Sequence, residues 1–585
     1  MRKNFKRVTA AVLSAAMAFT LMPAMHTHAN DNGDIFTATM KTYGEIFDEK
    51  QENQYEGKTV ILHSNDVHGV IDGYAYIAEL EDDFEDAGAE VITMDAGDYS
   101  QGDPNVSYSR AASAVELMNE AGYEFSTLGN HEFDYGYEQL KSNLKSANFK
   151  VLCADVLEGD KPIFDKDTIY TTKSGLKIGI FGMETPETES KTNPALIKGL
   201  RFLNNASGKT ELYECAREEV KTLKDEGANI IVALTHLGMN KESKGDCHRS
   251  ADLYKNVKGI DIMIDGHSHD VMTEGPEKET IQSTGTKFQY IGVVVIDDEK
   301  KEISDHYLVA TKDLAKDEEV EKAAKNISDE VDRIYGTKIG ESEIRFASEK
   351  AENRGHETNT GDLVTDAMVW KVLQDKTLPN ISEDHITAMV NAGSIRAGLS
   401  VGDVSKKDIL AILPYNNTLN VIYVKGSQIL EALEASTFSL PDPIIAGYPQ
   451  TNGIRFTVDT GKAYDKGELY EGSIYYKPGN IQRVSIESIN GKAFQPDETY
   501  AVLTTDFCAA GGDTYGAFKN YDSRIETGFL LDEVVSDYIM EELGGLLSED
   551  RYGKPRGDVT ILKTSQEEPM IKLVEEPHKC LPKRN

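Results

Sequence analysis

Five short segments carry side chains of the kinds that bind metal ions. They are Asp66-Val67-His68, Gly97-Asp98, Gly129-Asn130-His131-Glu132-Phe133-Asp134, Thr235-His236 and Gly266-His267-Ser268-His269. Each follows a short apolar run that reads as a β-strand. Eleven histidines lie beyond residue 29, and five of them fall in these segments. A lone histidine at a strand end is more often a hydrogen-bonded surface or core residue. D-x-H, G-D and N-H-E are each weak alone; the ordered set of five carries the signal. Glu132 does not open a zincin motif, because Phe133-Asp134 follow it. Asp, His and Asn without Cys suit Zn, Mn, Fe or Co held as a pair. Two such ions ~3.5–4 Å apart clamp a phosphoryl group and activate water near neutral pH.

A second constellation lies further along. Arg354-Gly-His-Glu-Thr-Asn359-Thr-Gly-Asp-Leu363 precedes an expected helix, Val364 to Leu373. Asn391-Ala-Gly-Ser-Ile-Arg396 follows an expected strand, Ile386–Val390. Leu413-Pro-Tyr415-Asn-Asn417 precedes the strand Thr418–Val424, and Phe507-Cys-Ala-Ala-Gly-Gly-Asp513-Thr-Tyr515 follows the strand Tyr500–Thr505. Two Arg, two aromatics and an Asp in glycine-rich loops suit a planar base bearing a phosphate. Aromatic faces stack bases at ~1–3 kcal/mol each, and Arg contacts phosphate through two parallel hydrogen bonds. Taken alone, core packing of the rings and pairing of the Arg residues with surface acids is the commoner reading of such residues.

The elements that must position these residues read as α/β. From Lys58, the runs TVILHSND, VITMDAG, FSTLGNHE, KIGIFGME, NIIVALTHLG and IDIMIDGHSH are apolar and then end in polar or glycine-containing loops. Between them, Ala111–Ala121 and Glu211–Glu226 read as helices. In layered α/β folds, ligands collect where the strands' carboxyl ends emerge. Asp313 to Tyr335 carries Val320, Ala323, Ala324, Ile327, Val331 and Ile334 at helical spacing, as an inter-domain helix would. The expected division is 1–29 a secretory leader, 30–57 an extension, 58–312 the metal-bearing domain, 313–339 the joint, 340–562 a second α+β domain and 563–585 a tail. The leader rests on Arg2, Lys3, Lys6 and Arg7, an apolar core Val8 to Met22, and small residues at Thr27 and Ala29.

The 585 residues carry 62 Lys+Arg against 99 Asp+Glu, a net charge of −37 that becomes −41 once the leader is removed. So acidic a surface repels nucleic-acid polymers, and any phosphate must meet a local cationic site. Five cysteines form no C-x-x-C pair, so a cysteine zinc site is not supported; a Cys215–Cys247 disulfide is open.

The order D-x-H, G-D, G-N-H-E-x-D, T-H, G-H-x-H resembles the calcineurin-like metallophosphoesterases. HSNDVHG, DAGDYSQG, LGNHEFDYG, LTHLG and GHSH resemble the secreted 5'-nucleotidase / UDP-sugar hydrolase family, over Val60 to Leu562. The resemblance implies a four-layer α/β/β/α metallophosphoesterase domain joined by a helix to a smaller α+β nucleotide-binding domain. It implies two divalent ions, Zn, Mn or Co. One would be held by Asp66, His68, Asp98 and His269, the other by Asp98, Asn130, His236 and His267. It makes His131 and Asp134 the catalytic dyad. Arg354, Asn391 and Arg396 would contact phosphate and ribose, Tyr415 and Phe507 would sandwich the base, Asp513 would hold ribose, and Asn417 would assist. Tyr415 stands where the family usually has Phe, Ala392 and Ser394 replace glycines, and Thr514 replaces the Gly after G-G-D. The implied activity is hydrolysis of nucleoside 5'-monophosphates, with UDP-sugars as a further substrate, by an exported protein without a membrane span after cleavage. The alternatives are a 2',3'-cyclic-nucleotide 2'-phosphodiesterase / 3'-nucleotidase with the same metal motifs, and a metal-binding adhesin or sulfur-oxidation-type protein without turnover. The intact G-G-D after Phe507 favours the 5' branch.

Overall fold

Alternation along one strand builds two cores at once. In Lys58–Ser64, Val60 and Leu62 point to one side and join the helices' core, while Ile61 points to the other and joins a second sheet. The computed structural model describes residues 24–29, 35–47, 53–240, 248–347, 349–375, 381–442, 444–471 and 473–562. Among these, Lys58–Ser64 lies in an eight-stranded sheet. Its order is Ala24–Ala29, Ile35–Met40, Glu302–Ala310, Tyr290–Asp297, Lys58–Ser64, Glu90–Asp95, Phe125–Ser126, Lys150–Val151. The facing sheet has six strands, ordered Val271–Met272, Ile281–Thr284, Ile262–Ile264, Ile230–His236, Lys177–Glu184, Asp167–Thr171.

Ile61, Ile92, Met94 and Val294 meet Ile180, Val232, Leu234 and Ile262 between the sheets, all fully buried. Helices Gly73–Asp86 and Ala112–Glu120 cover the first sheet, and Glu211–Asp225 and Ser250–Asn256 cover the second. This is the expected α/β/β/α stack. The parallel strands end in register: Ser64 pairs with Asp95, Asp95 with Ser126, and Glu184 with His236. Loops bearing the candidate ligands therefore leave both sheets at one edge.

The joint differs from the sequence expectation. A 3-10 turn, Thr311–Asp313, comes first, and the helix proper is Glu318–Tyr335. Asp317 starts it, its Oδ1 accepting from Glu319 N at 3.0 Å and Val320 N at 2.8 Å. Val320, Ala324 and Ile327 belong to the first half's core, while Ile334 is exposed. The joint is thus packed on the first half along most of its length, and its Asp332 Oδ1 accepts from Lys407 Nζ of the second half at 2.7 Å.

The second half is built on a five-stranded sheet ordered Pro449–Asn452, Ile386–Asn391, Thr499–Thr505, Thr418–Lys425, Ser523–Leu530. Helices Asn359–Asp375 and Leu531–Asp537 pack on one face, and Gly426–Ser436 packs on the other. The helix expected from Val364 begins at Asn359, because Thr358 Oγ1 accepts from Gly361 N (3.1 Å) and caps it. Asn359 itself ties Ala347 N to the Arg345 and Tyr552 carbonyls, a structural role.

Ile35–Met40, part of the expected extension, is a strand of the large sheet, and Ala24–Ala29, inside the expected leader, pairs with it. Residues 1–23, the tail 563–585, Cys247 and Cys580 lie outside the described residues. Cys153, Cys215 and Cys508 are buried free thiols. No described helix is long and apolar enough to cross a membrane.

Truncating Ile180 to Ala, in the middle of the inter-sheet layer, should cost about 2–5 kcal/mol. Urea unfolding followed by circular dichroism should show the transition moving to lower denaturant; an unmoved transition would mean that this layer does not hold the two sheets.

Candidate metal centre and substrate cavity

Two carboxylates sit buried among imidazoles. Asp66 is fully buried and Asp98 is 2% exposed. Asp66 Oδ1 lies 3.5 Å from His269 Nε2 and 3.9 Å from His68 Nε2. Asp98 Oδ2 lies 3.2 Å from His236 Nε2 and 3.9 Å from His68 Nε2, so it touches both sides of the cluster. The ligand atoms form sets within 4.8 Å: Asp66, His68 and His269; His68, Asp98 and His131; Asp98, His236 and His267. Asn130 Oδ1 joins the third set, 2.8 Å from His267 Nδ1.

Tautomers are set from behind the ligands. His236 Nδ1 donates to the Ala96 carbonyl at 2.6 Å, so its Nε2 lone pair faces inward; that buried nitrogen has no hydrogen-bond partner. His68 Nδ1 donates to the Gln101 carbonyl (3.2 Å), leaving Nε2 inward, 2.9 Å from His269 Nε2. His267 Nε2 donates to Glu187 Oε2 at 2.9 Å, which turns Nδ1 toward Asn130. Such outer partners are the usual means of aiming metal-binding histidines. Lone pairs and carboxylate oxygens converging without an intervening lysine or arginine are what a divalent cation requires, so this donor set fits the ions expected from the sequence.

The buried carboxylates and imidazoles shift one another strongly. Burial, and then the Asp98 charge, push Asp66 up to about 7 against the pull of His236. Burial pushes Asp98 up as well, but His236 and His131 outweigh it and hold the carboxyl well below the usual range. Burial lowers His236, yet Asp98 and Asp66 leave it raised well above an ordinary imidazole.

The backbone at these positions is unusual. Asp66, His68, Asp98, His267 and His269 all have positive φ, between 48° and 78°. Non-glycine residues rarely adopt it, at a cost of order 1 kcal/mol each. Glu132 holds one such loop: its carboxylate accepts from Asp98 N (2.8 Å), Tyr99 N (3.0 Å), Ser100 N (3.1 Å) and Gly129 N (2.5 Å). Asn65 holds another, giving Nδ2 to Asp66 Oδ2 (2.6 Å) while its Oδ1 accepts from Thr284 N (2.8 Å). Gly129 is compulsory, since a Cβ there would lie 2.3 Å from Asp98 Oδ1.

His131 and Asp134 pair as expected, Nδ1 donating to Oδ2 at 2.6 Å. His131 N also donates to Asp98 Oδ1 (2.9 Å), which ties the pair to the cluster. Burial draws the imidazole down, but Asp98 and Asp134 overcome it and leave it raised.

One cavity of about 630 Å³ joins the two constellations. His68, Asp98, Asn130, His131, Asp134, His267 and His269 line one end; Arg354, Asn391, Arg396, Tyr415, Asn417, Phe507 and Asp513 line the other. Asp66 and His236 lie behind the first group, buried in the cluster. The Tyr415 ring is 5.9 Å from His131 at 31°, and Arg396 lies 5.9 Å over Tyr415. Asn391 Nδ2 donates to Asp513 Oδ2 at 2.7 Å. Gly512 gives Phe507 its place, because a Cβ there would sit 2.2 Å from the ring. Asn417 borders the cavity, and its carbonyl accepts from Leu531 N (2.9 Å). Sequence reasoning missed Glu187, Asn65 and the anchoring role of Glu132. Asn65 and Glu132 adjoin ligand positions; Glu187 stands in no motif.

Glu132→Gln replaces one of those acceptor oxygens with an amide facing N–H donors. Divalent-ion affinity, measured by calorimetry on metal-stripped protein, should fall about 10–100-fold; unchanged affinity would reject the anchoring role.

Residues 59–271 match the family model of calcineurin-like phosphoesterases, and residues 338–520 match that of the 5'-nucleotidase C-terminal domain. A 5'-nucleotidase of Vibrio cholerae is 26% identical over 561 residues, covering 86% of this chain and 93% of its own length. The trifunctional nucleotide phosphoesterase protein YfkN of Bacillus subtilis is 27% identical over 84% of this chain, which spans only 34% of that longer relative. The crystal structure of a 5'-nucleotidase precursor from Thermus thermophilus superposes with a TM-score of 0.70 at 26% identity, over 87% of this chain and all of that one. With strand-end ligands, a His–Asp pair and a second domain closing one shared cavity, the chain belongs to the 5'-nucleotidase family of metal-dependent phosphoric monoester hydrolases.

Proposed function

We propose that this protein is an exported dimetal 5'-nucleotidase that cleaves nucleoside 5'-monophosphates to nucleoside and phosphate. The carrying observation is the single cavity that has the metal cluster at one end and the Arg354–Arg396–Tyr415–Phe507 group at the other. The relatives named 5'-nucleotidase support the substrate class, and the basic-then-apolar N-terminus supports export.

Asp66, His68, Asp98 and His269 would hold one ion; Asp98, Asn130, His236 and His267 would hold the other. When bound, the ions supply Lewis acidity and a lowered water pKa beside the phosphate. The chain's own residues do the rest. Arg354 and Arg396 bind the phosphate oxygens and, with the ions, reverse locally the repulsion of a −37 chain. Tyr415 and Phe507 take the base between their faces. Asp513 and Asn391, already bonded to each other, offer acceptors to the ribose hydroxyls. Asp134 keeps His131 in the tautomer that carries its proton on Nδ1. The raised imidazole is therefore poised to protonate the departing 5' oxygen.

Asp98→Ala should reduce AMP hydrolysis to background in a phosphate-release assay while circular dichroism stays native; substantial residual turnover would reject the dimetal reading. Phe507→Ala should raise the KM for AMP about tenfold and leave an aryl phosphate's KM nearly unchanged. Equal losses on both substrates would reject the stacking role. A panel of 5'-AMP, 3'-AMP and 2',3'-cyclic AMP should show the first turned over fastest, and preference for the cyclic ester would move the assignment to the phosphodiesterase branch.

A further inference from the structure

Residues 187–193 touch both ends of the cavity. They follow the strand Lys177–Glu184, and Thr188–Lys191 makes one helical turn. Toward the metal cluster, Glu187 Oε2 accepts from His267 Nε2 (2.9 Å), and Thr192 Oγ1 donates to the Asn130 carbonyl (3.4 Å). Toward the second half, the Ser190 carbonyl accepts from Asp513 N at 2.8 Å. Asn193 Nδ2 donates to Asp506 Oδ2 at 2.9 Å, and Lys191 Nζ donates to the Tyr475 hydroxyl at 2.8 Å. The Asn193 amide has only one orientation, because its Oδ1 accepts from Ala195 N at 3.0 Å. Asp506 directly precedes Phe507, and its other oxygen accepts from Thr418 N at 3.0 Å, close to the Tyr415–Asn417 loop.

Thus a metal-ligand histidine and the loop carrying Phe507 and Asp513 are held by the same seven residues. Glu187, Thr188, Ser190 and Thr192 are each no more than 3% exposed. Tightly packed elements transmit displacement instead of absorbing it. A movement of the 506–513 loop must therefore be felt at Glu187, and through Glu187 at the orientation of His267.

We infer that residues 187–193 form a strap that couples occupancy of the nucleoside pocket to the hold on His267, with Asn193 as a positioning residue. Nucleoside binding then tightens divalent-ion binding, and ion binding tightens nucleoside binding by the same factor, as linkage demands. The strap contacts stand on geometry alone; the nature of the pocket's ligand rests on the nucleotidase reading above.

Calorimetric titration of the metal-stripped full chain with Mn²⁺, with and without saturating adenosine, tests this without any turnover. Adenosine should lower the Mn²⁺ Kd about fivefold or more, and Mn²⁺ should lower the adenosine Kd equally. Asn193→Ala and Asn193→Asp, the latter repelled by Asp506, should both bind Mn²⁺ and adenosine but bring that ratio close to one; their thermal unfolding midpoints report that the fold is kept. A wild-type Mn²⁺ Kd indifferent to adenosine, or coupling undiminished in both variants, would overturn the strap. If wild-type protein bound Mn²⁺ but no adenosine, the nucleotidase reading itself would fall, and the strap with it.

Discussion

Burying two carboxylates side by side is the constraint that organises this molecule. Asp66 and Asp98 have only imidazoles as charged partners among the described residues. An ionised carboxylate taken out of water is costly unless paired and hydrogen-bonded. The surrounding structure answers with donors: His267 N gives its hydrogen to both Asp66 oxygens at 3.0 Å, and His131 N gives its hydrogen to Asp98. Those donors are in place only because the loops bend through left-handed residues. The strain of five such residues is sustained by Glu132, Asn65 and the carbonyls of Ala96 and Gln101, all held by the ends of well-packed strands. Divalent cations complete the balance, adding positive charge where the fold has concentrated acceptors.

The same constraint explains the division between the halves. Strand ends fixed by two sheets and an inter-sheet core suit chemistry that tolerates little misplacement. The residues proposed to hold the nucleoside sit instead on loops of a separate sheet, where Phe507 and Tyr415 enter from different strands. The joint helix is fastened to the first half by Val320, Ala324 and Ile327. Its last turn also meets the second half, where Lys407 Nζ donates to Asp332 Oδ1 at 2.7 Å, so the helix bears on both halves.

Much of this was legible in the sequence where chemistry and hydrophobic pattern coincide. Strand-then-loop punctuation located Asp66, Asp98, Asn130, His236 and His267, and the structure brings them into one cluster. Period-two alternation in Val60-Ile61-Leu62 carries the information for two packed layers, although the layer count came from family resemblance. Asp317, a strong helix start, marks the beginning of the joint helix better than Asp313, where the charged stretch begins. What escaped notice depends on tertiary geometry. A positive φ at His68 or Asp98 leaves no mark on residue type, since glycine is absent there. Glu187 stands 80 residues from His267 in the chain, and only the fold makes them neighbours. The Ser190 carbonyl is a backbone group, identical in every residue, so no motif could reveal its bond to Asp513.

Rigidity is unequally distributed across the cavity, and this bears on how an acidic protein handles an anionic substrate. At the metal end, every histidine whose outer nitrogen has a bonded partner is fixed by a carbonyl or carboxylate behind it. At the other end, Arg396 stacks over Tyr415, which in turn leans on His131. The Arg396 guanidinium, the Tyr415 ring and the His131–Asp134 pair therefore form one continuous surface of the cavity. A net charge of −37 repels anions at long range, whatever attraction the cavity's cations exert close by. Arg354 and Arg396 thus place positive charge inside a cavity of a chain whose net charge is strongly negative, an arrangement of long-range repulsion and short-range attraction for anions.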